Sequence, residues 1–209
     1  MKKYKYYSRA FCPHGFWGKR VLREMNSEEH STLPMWALSI LDDLPLDAKI
    51  LDVGCGGRAN IQRMLQRFPQ CAVTGIDHST LAIDLAYQLN YDYMMMNRSI
   101  VMETSLEDMV LGKDCFDLVT LFEMVYYLMP ISSALKQIVR VLKPGGTLLI
   151  ANELDGRSVE HQLIELKTAR RVRVFTVDEL QQALSDVGFS NIKVSNDMMN
   201  HFVCITCEK

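Results

Sequence analysis

The sequence lacks any uninterrupted apolar stretch that approaches the roughly 20 residues needed to cross a bilayer, so we expect no membrane-spanning helix. Its basic start, residues 2–7, mixes lysine with tyrosine and is not followed by an apolar segment. A secretory signal requires such a segment. We therefore expect a cytoplasmic protein with no membrane partner.

The chain also has little charge of one sign, with 23 Lys and Arg against 25 Asp and Glu and a formal net charge of -2. No stripe of basic residues with interleaved aromatics is present, so nothing in the sequence offers phosphate backbones an attractive surface. A nucleic-acid partner is not expected. The length of 209 residues without internal repeats predicts one main core: a helical extension over residues 1–45 and a domain over residues 46–209.

Six cysteines without an export signal are predicted to be reduced thiols rather than a disulfide framework. Cys204 and Cys207 have CxxC spacing, but they lie in an alternating run in which residues three apart point to opposite faces of a strand. We expect both to pack in the core, and no metal site is predicted.

Apolar runs alternate with segments of helical spacing through the middle of the chain. This alternation predicts an α/β fold, a Rossmann-like, doubly wound and mostly parallel sheet. The predicted strands are Lys49–Val53, Ala72–Ile76, Ile100–Glu103, Phe116–Phe122 and Thr147–Asn152, and the helices Ala59–Phe68, Ser79–Leu89 with Ser79 as N-cap, and Ser132–Leu142, halted by Pro144, Gly145 and Gly146.

The two ends of the chain break this alternation. After a helix from Thr176 to Gly188, the strands Ile192–Ser195 and His201–Glu208 are joined by too few residues for a crossover helix. They are predicted to form an antiparallel hairpin that completes a seven-stranded sheet. At the other end, helices Lys19–Met25 and Leu33–Leu41, separated near residues 26–31, are expected to lie across the top of the sheet.

A glycine cluster follows the first strand in the run Ile50–Arg58, where glycine lets the backbone approach a ligand at the carboxyl edge of a sheet. Backbone N–H groups at the next helix start can receive a carboxylate. Asp77 ends the second strand, 23 residues after Gly54, where its carboxylate can accept both hydroxyls of a ribose. Alternatively, Asp77 caps the helix that follows.

The segments LDVGCGG, GIDHS, CFDLVTLFEMVYYL and RVLKPGGTLLIANE, in this order and spacing, resemble the motif series of class I SAM-dependent methyltransferases. The resemblance covers roughly residues 50–209. It implies S-adenosylmethionine as cofactor and in-line transfer of its methyl group to an oxygen, nitrogen, sulfur or carbon of a small molecule, with release of S-adenosylhomocysteine. The protein would mainly align donor and acceptor and exclude water. A monomer or a homodimer is expected.

By this resemblance the glycine turn shapes the methionine end of the pocket, Asp77 holds the ribose and His78 sits beside the adenine. The family often has an acidic and then a small apolar residue after the third strand; here Ser105 and Leu106 match, and serine would bond the adenine more weakly. Arg58 replaces the third glycine and either pairs with the ligand carboxylate or faces solvent. The implied cofactor-binding residues are Asp52, Gly54, Cys55, Gly56, Asp77, His78, Ser105, Leu106 and Phe122.

Three residues are candidates for catalysis: Glu123, His30 and Tyr127. Glu123, the acidic group of an apolar run, either accepts a proton or bonds backbone groups and positions the methionine amino group. His30 either deprotonates an acceptor or lies at the surface, with Asn26 or Ser27 as a cap. Tyr126 and Tyr127 either flank the sulfonium or pack as a roof.

The acceptor site is expected between the N-terminal lid, with Phe16 and Trp17 as its apolar residues, and the segments 123–127 and 152–173. Asn152 and Glu153 end the fifth strand at this cleft. The basic residues Lys167, Arg170, Arg171 and Arg173 either recognise an acidic molecule or form a solvated helix face.

Two other functions share some of these signals. A nicotinamide-dependent oxidoreductase also has a glycine turn and a ribose-binding acid, but its turn has GxGxxG spacing rather than the GxGG seen here, and it lacks the terminal hairpin. A non-catalytic module that binds S-adenosylmethionine or its product would explain the departures at Arg58 and Ser105.

Overall fold

The computed structural model describes residues 3–11, 13–25, 28–57, 59–168 and 171–209. A seven-stranded sheet forms its centre, with strands β1 Lys49–Val53, β2 Ala72–Asp77, β3 Ser99–Glu103, β4 Phe116–Phe122, β5 Leu142–Asn152, β6 Ser190–Asp197 and β7 Phe202–Glu208. The helices are α1 Lys3–Ala10, α2 Gly15–Met25, α3 Glu28–Ile40, α4 Asn60–Arg67, α5 Thr80–Leu89, α6 Tyr91–Met95, α7 Ile131–Val141, α8 Val159–Lys167 and α9 Val177–Asp186.

The strand order is β3-β2-β1-β4-β5-β7-β6. Strands β1 to β5 pair in parallel, whereas β7 pairs antiparallel with both β5 and β6. The predicted α/β fold with a terminal hairpin is therefore confirmed. Because chain order reverses between β1 and β4, the carboxyl ends of these strands border a crevice, which is where open α/β sheets bind ligands.

Apolar side chains cover both faces of the sheet. On one face, Leu51 and Ile150 pack with α7 and α9, and on the other, Ile50 and Leu149 pack with α3 and α4. Cys204 and Cys207 lie on opposite faces, both buried and free, because alternate residues of β7 point in opposite directions. None of the described helices is long and apolar enough to cross a membrane.

Two helix ends match their predicted signals. The Ser79 hydroxyl accepts a hydrogen bond from the Ala82 N–H at the start of α5. Thr176 and Glu179 form a reciprocal capping box at the start of α9. In both cases a side-chain oxygen accepts a hydrogen bond from a backbone N–H group three residues later. Because the contact is local, the start of each helix could be predicted from the sequence.

Other boundaries differ from the predictions. Strand β5 begins at Leu142, which pairs with Phe116, and runs through the Pro-Gly-Gly segment that was predicted to separate the helix from the strand. Helix α3 begins at Glu28, so the position of His30 is helical rather than part of a break. Helix α1 was not predicted. The division into residues 1–45 and 46–209 stays a prediction.

Candidate functional site

The glycine turn after β1 folds over the end of β2. The Gly54 and Cys55 N–H groups donate to the Ile76 carbonyl at 2.8 and 3.0 Å. Gly54 has a φ of 68°, and a Cβ built on it would lie 2.3 Å from the Met124 sulfur. Glycine is thus required here both by the left-handed backbone and by the packing of Met124 against the turn.

Asp77 ends β2 directly beside this turn. Its Oδ2 accepts from the Gly56 N–H at 3.0 Å, and its Oδ1 accepts from the Ser79 N–H at 2.8 Å. One carboxylate therefore holds both the glycine turn and the start of α5. A carboxylate has about four acceptor positions, so it can bond more groups than these two N–H donors.

The turn and Asp77 border the same crevice, which we call the β1–β2 cleft. Its larger part has a volume of about 300 Å³, and its smaller part, about 30 Å³, continues toward Glu123. The two parts share the lining residues Phe11, Gly54, Asp77, His78, Met124 and Tyr127. The structure thus brings the glycine turn and the Asp77 carboxylate together at one cleft.

Seven of the predicted cofactor-binding residues line this cleft: Gly54, Gly56, Asp77, His78, Ser105, Leu106 and Phe122. Asp52 and Cys55 do not. Asp52 is 1% exposed and its Oδ1 accepts from the Thr120 hydroxyl at 2.7 Å, so it ties β1 to β4 beneath the turn. Cys55 is 1% exposed in the core, and burial raises the pKa of its thiol well above the usual value. Arg58 lies outside the described residues.

The hydroxyl of Ser105 is engaged with a neighbour. It donates to Asp108 Oδ2 at 2.7 Å and accepts from the Asp108 N–H at 3.1 Å. The carboxylate absent from position 105 thus occurs three residues later, bonded to the serine. The family pattern pointed to positions 105 and 106 and did not identify Asp108, because only the turn in the structure brings Asp108 next to Ser105.

Glu123 lies at the narrow end of the cleft and is 8% exposed. Its Oε1 accepts from the Tyr126 hydroxyl at 2.9 Å and from the Glu153 N–H at 2.5 Å, and its Oε2 accepts from the Tyr7 hydroxyl at 3.3 Å. The carboxylate therefore joins α1, β4 and the end of β5. The predicted bonding to backbone groups is present, together with two phenols that the sequence did not associate with it.

Both phenols remain donors at physiological pH. Burial raises the pKa of Tyr7 and of Tyr126 well above 10, and the negative charge of Glu123 raises them further. The Tyr126 hydroxyl also accepts from the Leu154 N–H at 2.8 Å. Protonated phenols stabilise the Glu123 carboxylate without neutralising it.

Aromatic residues of α1 and the segment after it cover the cleft. The Phe11 ring lies 5.4 Å from His78 and 5.7 Å from Tyr127, and the Tyr127 hydroxyl donates to the Tyr7 carbonyl at 3.1 Å. The predicted lid residues Phe16 and Trp17 are instead 76% and 50% exposed. They do not line the cleft here, where α1 and Phe11 occupy the position over it, and a lid role for Phe16 and Trp17 stays a prediction.

The other residues predicted for the acceptor site lie partly at the surface and partly in the core. Arg173 does not form a helix face with Lys167, which ends α8; it pairs with Glu179 at 3.0 Å and stacks on Phe175. Asn152 is 2% exposed at the end of β5. Asn26, Ser27 and Arg170 lie outside the described residues, as does the side chain of His30.

A second cavity of about 660 Å³ opens at the same edge of the sheet, beside the ends of β5 and β7. We call it the β5–β7 cavity. It is lined by Thr32, Glu153, Leu154, Asp155, Arg157, Ser158, His161, Asn200, His201 and Phe202. Because the Glu153 N–H donates to Glu123, this cavity adjoins the narrow end of the β1–β2 cleft.

The family comparison agrees with this geometry. A model described as a methyltransferase domain matches residues 51–150. Residues 51–150 of the chain therefore carry a methyltransferase domain. This match agrees with the predicted family, and S-adenosyl-L-homocysteine or S-adenosyl-L-methionine is bound in the two solved structures described below.

Two curated relatives show similar stretches. The chain is 36% identical over 105 residues to a ubiquinone biosynthesis O-methyltransferase of Pseudomonas fluorescens, covering 49% of this chain and 43% of that protein. It is 30% identical over 159 residues to a malonyl-[acyl-carrier protein] O-methyltransferase of Geobacter sulfurreducens, covering 72% and 58%. The chain thus spans about half the length of the curated relatives it matches.

Solved structures share the fold at low sequence identity. Geranyl diphosphate C-methyltransferase from Streptomyces coelicolor, in complex with S-adenosyl-L-homocysteine, superposes with a TM-score of 0.72 at 14% identity, covering 85% of this chain and 75% of that one. Phosphoethanolamine N-methyltransferase 2 from Haemonchus contortus, in complex with S-adenosyl-L-methionine, gives 0.72 at 15%, covering 84% and 52%. These likenesses establish the fold of the methyltransferase domain.

Proposed function

We propose that this protein is a SAM-dependent methyltransferase that acts on a small-molecule acceptor. The observation that carries the proposal is the meeting of the Gly54 turn and the Asp77 carboxylate at one cleft. The relatives named above for ubiquinone biosynthesis and for geranyl diphosphate support a small acceptor. A cytoplasmic location, the absence of nucleic-acid partners and a monomeric or homodimeric state stay predictions.

The residues present fit the adenosine part of the cofactor. A volume of about 300 Å³ lies at the lower end of the range for small-molecule sites. Asp77 would hold the ribose hydroxyls, and Leu106 and His78 would border the adenine. The Ser105 hydroxyl donates to Asp108, and these two side chains together would face the adenine.

The methionine part would extend toward Glu123. The N–H groups of Gly54, Cys55 and Gly56 already donate within the protein, which leaves the uncapped start of α4 as donor for the ligand carboxylate. Only about 30 Å³ is open at this end. We infer that α1 and the segment after it move away from the cleft when the cofactor enters, since Phe11, directly after α1, lines both parts of the cleft.

When bound, S-adenosylmethionine supplies an electrophilic methyl group with a good leaving group. The protein's task is to orient an acceptor in line with that group and to exclude water. Glu123, held by Tyr7 and Tyr126, would position the cofactor's amino group, and Tyr127 would roof the methyl-transfer end. A catalytic role of His30 stays a prediction.

The small volume beside Glu123 also favours a second candidate, a module that binds the cofactor or its product without turnover. Calorimetry with S-adenosylmethionine and NADH side by side tests cofactor choice; NADH heat without S-adenosylmethionine heat contradicts the proposal. Release of S-adenosylhomocysteine with a broad acceptor panel then tests turnover. Tight cofactor binding with no product across the panel favours the module.

A further inference from the structure

The β5–β7 cavity has features that bear on the substrate class of the proposed methyltransferase. It is the larger of the two cavities at this edge of the sheet, and Glu153 connects it to the proposed methyl-transfer end. Leu154 and Phe202, both buried, give it an apolar wall. Its rim carries charged groups, so the balance of those charges decides which ligand it favours.

The basic groups of the rim face acidic partners. Arg157 Nε lies 4.0 Å from Asp155 Oδ2, and His161 Nδ1 lies 3.4 Å from Asp155 Oδ1. His201 lies in the turn between β6 and β7, where hydrogen bonds from Asn200, and to a smaller extent the charge of His201, lower the pKa of Asp197. Arg157 and His161 of the rim thus both face the Asp155 carboxylate.

The Glu153 carboxylate differs from the other charged groups of the rim, because it has no partner of opposite charge among the described residues. It has no hydrogen bond or ion pair with any residue in the described part of the chain, although the Glu153 N–H is bonded to Glu123. Its charge contributes to the raised pKa of Tyr7, so it lies at the end of the cavity nearest the cleft. Among the described residues, the Glu153 carboxylate at this end of the cavity is therefore a negative charge without a basic partner.

We propose that the β5–β7 cavity binds the methyl acceptor and that Glu153 selects acceptors carrying a cationic group, such as a protonated amine. The inference rests on the proposed function and adds the substrate class. Glu153 pairs with the cation, Phe202 and Leu154 pack against the apolar skeleton, and displacement of Tyr7 with α1 opens the way to the cleft. The pairing binds and orients the acceptor; the methylated atom can be elsewhere on the molecule.

The selectivity of Glu153 for a cationic group is tested with sets of three small molecules that share a skeleton and carry an amine, an alcohol or a carboxylate. One set is 4-hydroxybenzylamine, 4-hydroxybenzyl alcohol and 4-hydroxybenzoate, and further sets have other aryl and alkyl skeletons. Binding is measured by calorimetry in the presence of S-adenosylhomocysteine. The amines are expected to bind about tenfold or more tightly than the alcohols, and the carboxylates weakest. Glu153→Gln should remove the preference for amines and leave the affinity for S-adenosylhomocysteine unchanged.

Asp84→Asn, which removes a charge from the exposed side of α5, is the matched control and should keep the preference. Thr32→Phe, which places a ring in the cavity, should weaken amine binding without changing cofactor affinity. The inference is overturned if no amine binds, if carboxylates bind best, or if Glu153→Gln keeps the preference. Failure to bind S-adenosylhomocysteine in the wild type would instead overturn the proposed function.

Discussion

Replacing Asp77 with alanine should lower both the stability of the fold and the affinity for the cofactor, and the structure allows these two effects to be separated. The carboxylate accepts from the Gly56 and Ser79 N–H groups, so Asp77→Ala leaves two partly buried donors without their partner. At about 0.5–1.5 kcal/mol for each bond, the free energy of unfolding should fall by about 1–3 kcal/mol. For a chain of this length that corresponds to a Tm lower by about 2–12 °C.

Cofactor affinity should fall for a separate reason. The ribose hydroxyls would lose a charged acceptor, whose hydrogen bonds contribute about 1.5–3 kcal/mol. The Kd for S-adenosylmethionine should therefore rise by about 10- to 150-fold. Calorimetry measures this directly, on protein shown to be folded by circular dichroism.

A thermodynamic cycle distinguishes ribose binding from loosening of the glycine turn. Wild-type protein should bind adenosine more tightly than 2′,3′-dideoxyadenosine, and Asp77→Ala should bind the two alike. Ser79→Ala is the control, because it removes the cap of α5 without touching the proposed ribose acceptor. If Asp77→Ala still discriminates between the two nucleosides as the wild type does, the ribose does not bind at Asp77.

Three other perturbations follow from particular contacts. Gly54→Ala should destabilise the fold by about 1–3 kcal/mol in urea unfolding, because φ is positive and the new Cβ meets the Met124 sulfur; an unchanged midpoint would contradict the close packing. Burial raises the pKa of Tyr126 above 10, so the unfolded chain ionises first and stability should fall above about pH 10. Tyr126→Phe should show a smaller loss between about pH 8 and pH 10.5, and equal losses would refute the assignment. Burial raises the pKa of Cys204 to about 12, so iodoacetamide should alkylate the partly exposed Cys115 before Cys204, as mass spectrometry can verify; rapid alkylation of Cys204 in the native state would contradict its burial.

Much of the sheet was readable from the sequence because its signals are local. Buried parallel strands read as short apolar runs, and β1 and β4 have the predicted bounds. The short link before β7 excluded a crossover helix, so the hairpin followed from length alone. The cap at Ser79 and the capping box at Thr176 depend on residues three apart.

Boundaries failed where pairing between distant residues outweighed local preference. The Pro-Gly-Gly segment was predicted to end the helix and to precede the strand, but Leu142 pairs with Phe116, so β5 includes this segment. The start of the chain gave no apolar periodicity, and α1 was missed for that reason. The aromatic residue Tyr7 of α1, and Phe11 directly after this helix, were the available signal that this segment packs against the rest of the protein.

By itself, the sequence determined the parallel sheet, the hairpin, the glycine turn and the acid at the end of β2, because each is encoded by neighbouring residues. Tertiary structure alone decided which residues meet at the site. Tyr7 reaches Glu123 across 116 positions of the chain, and Glu153 reaches it across 30. Contacts of that kind depend on how the helices and strands pack, and no periodicity or spacing in one sequence records them.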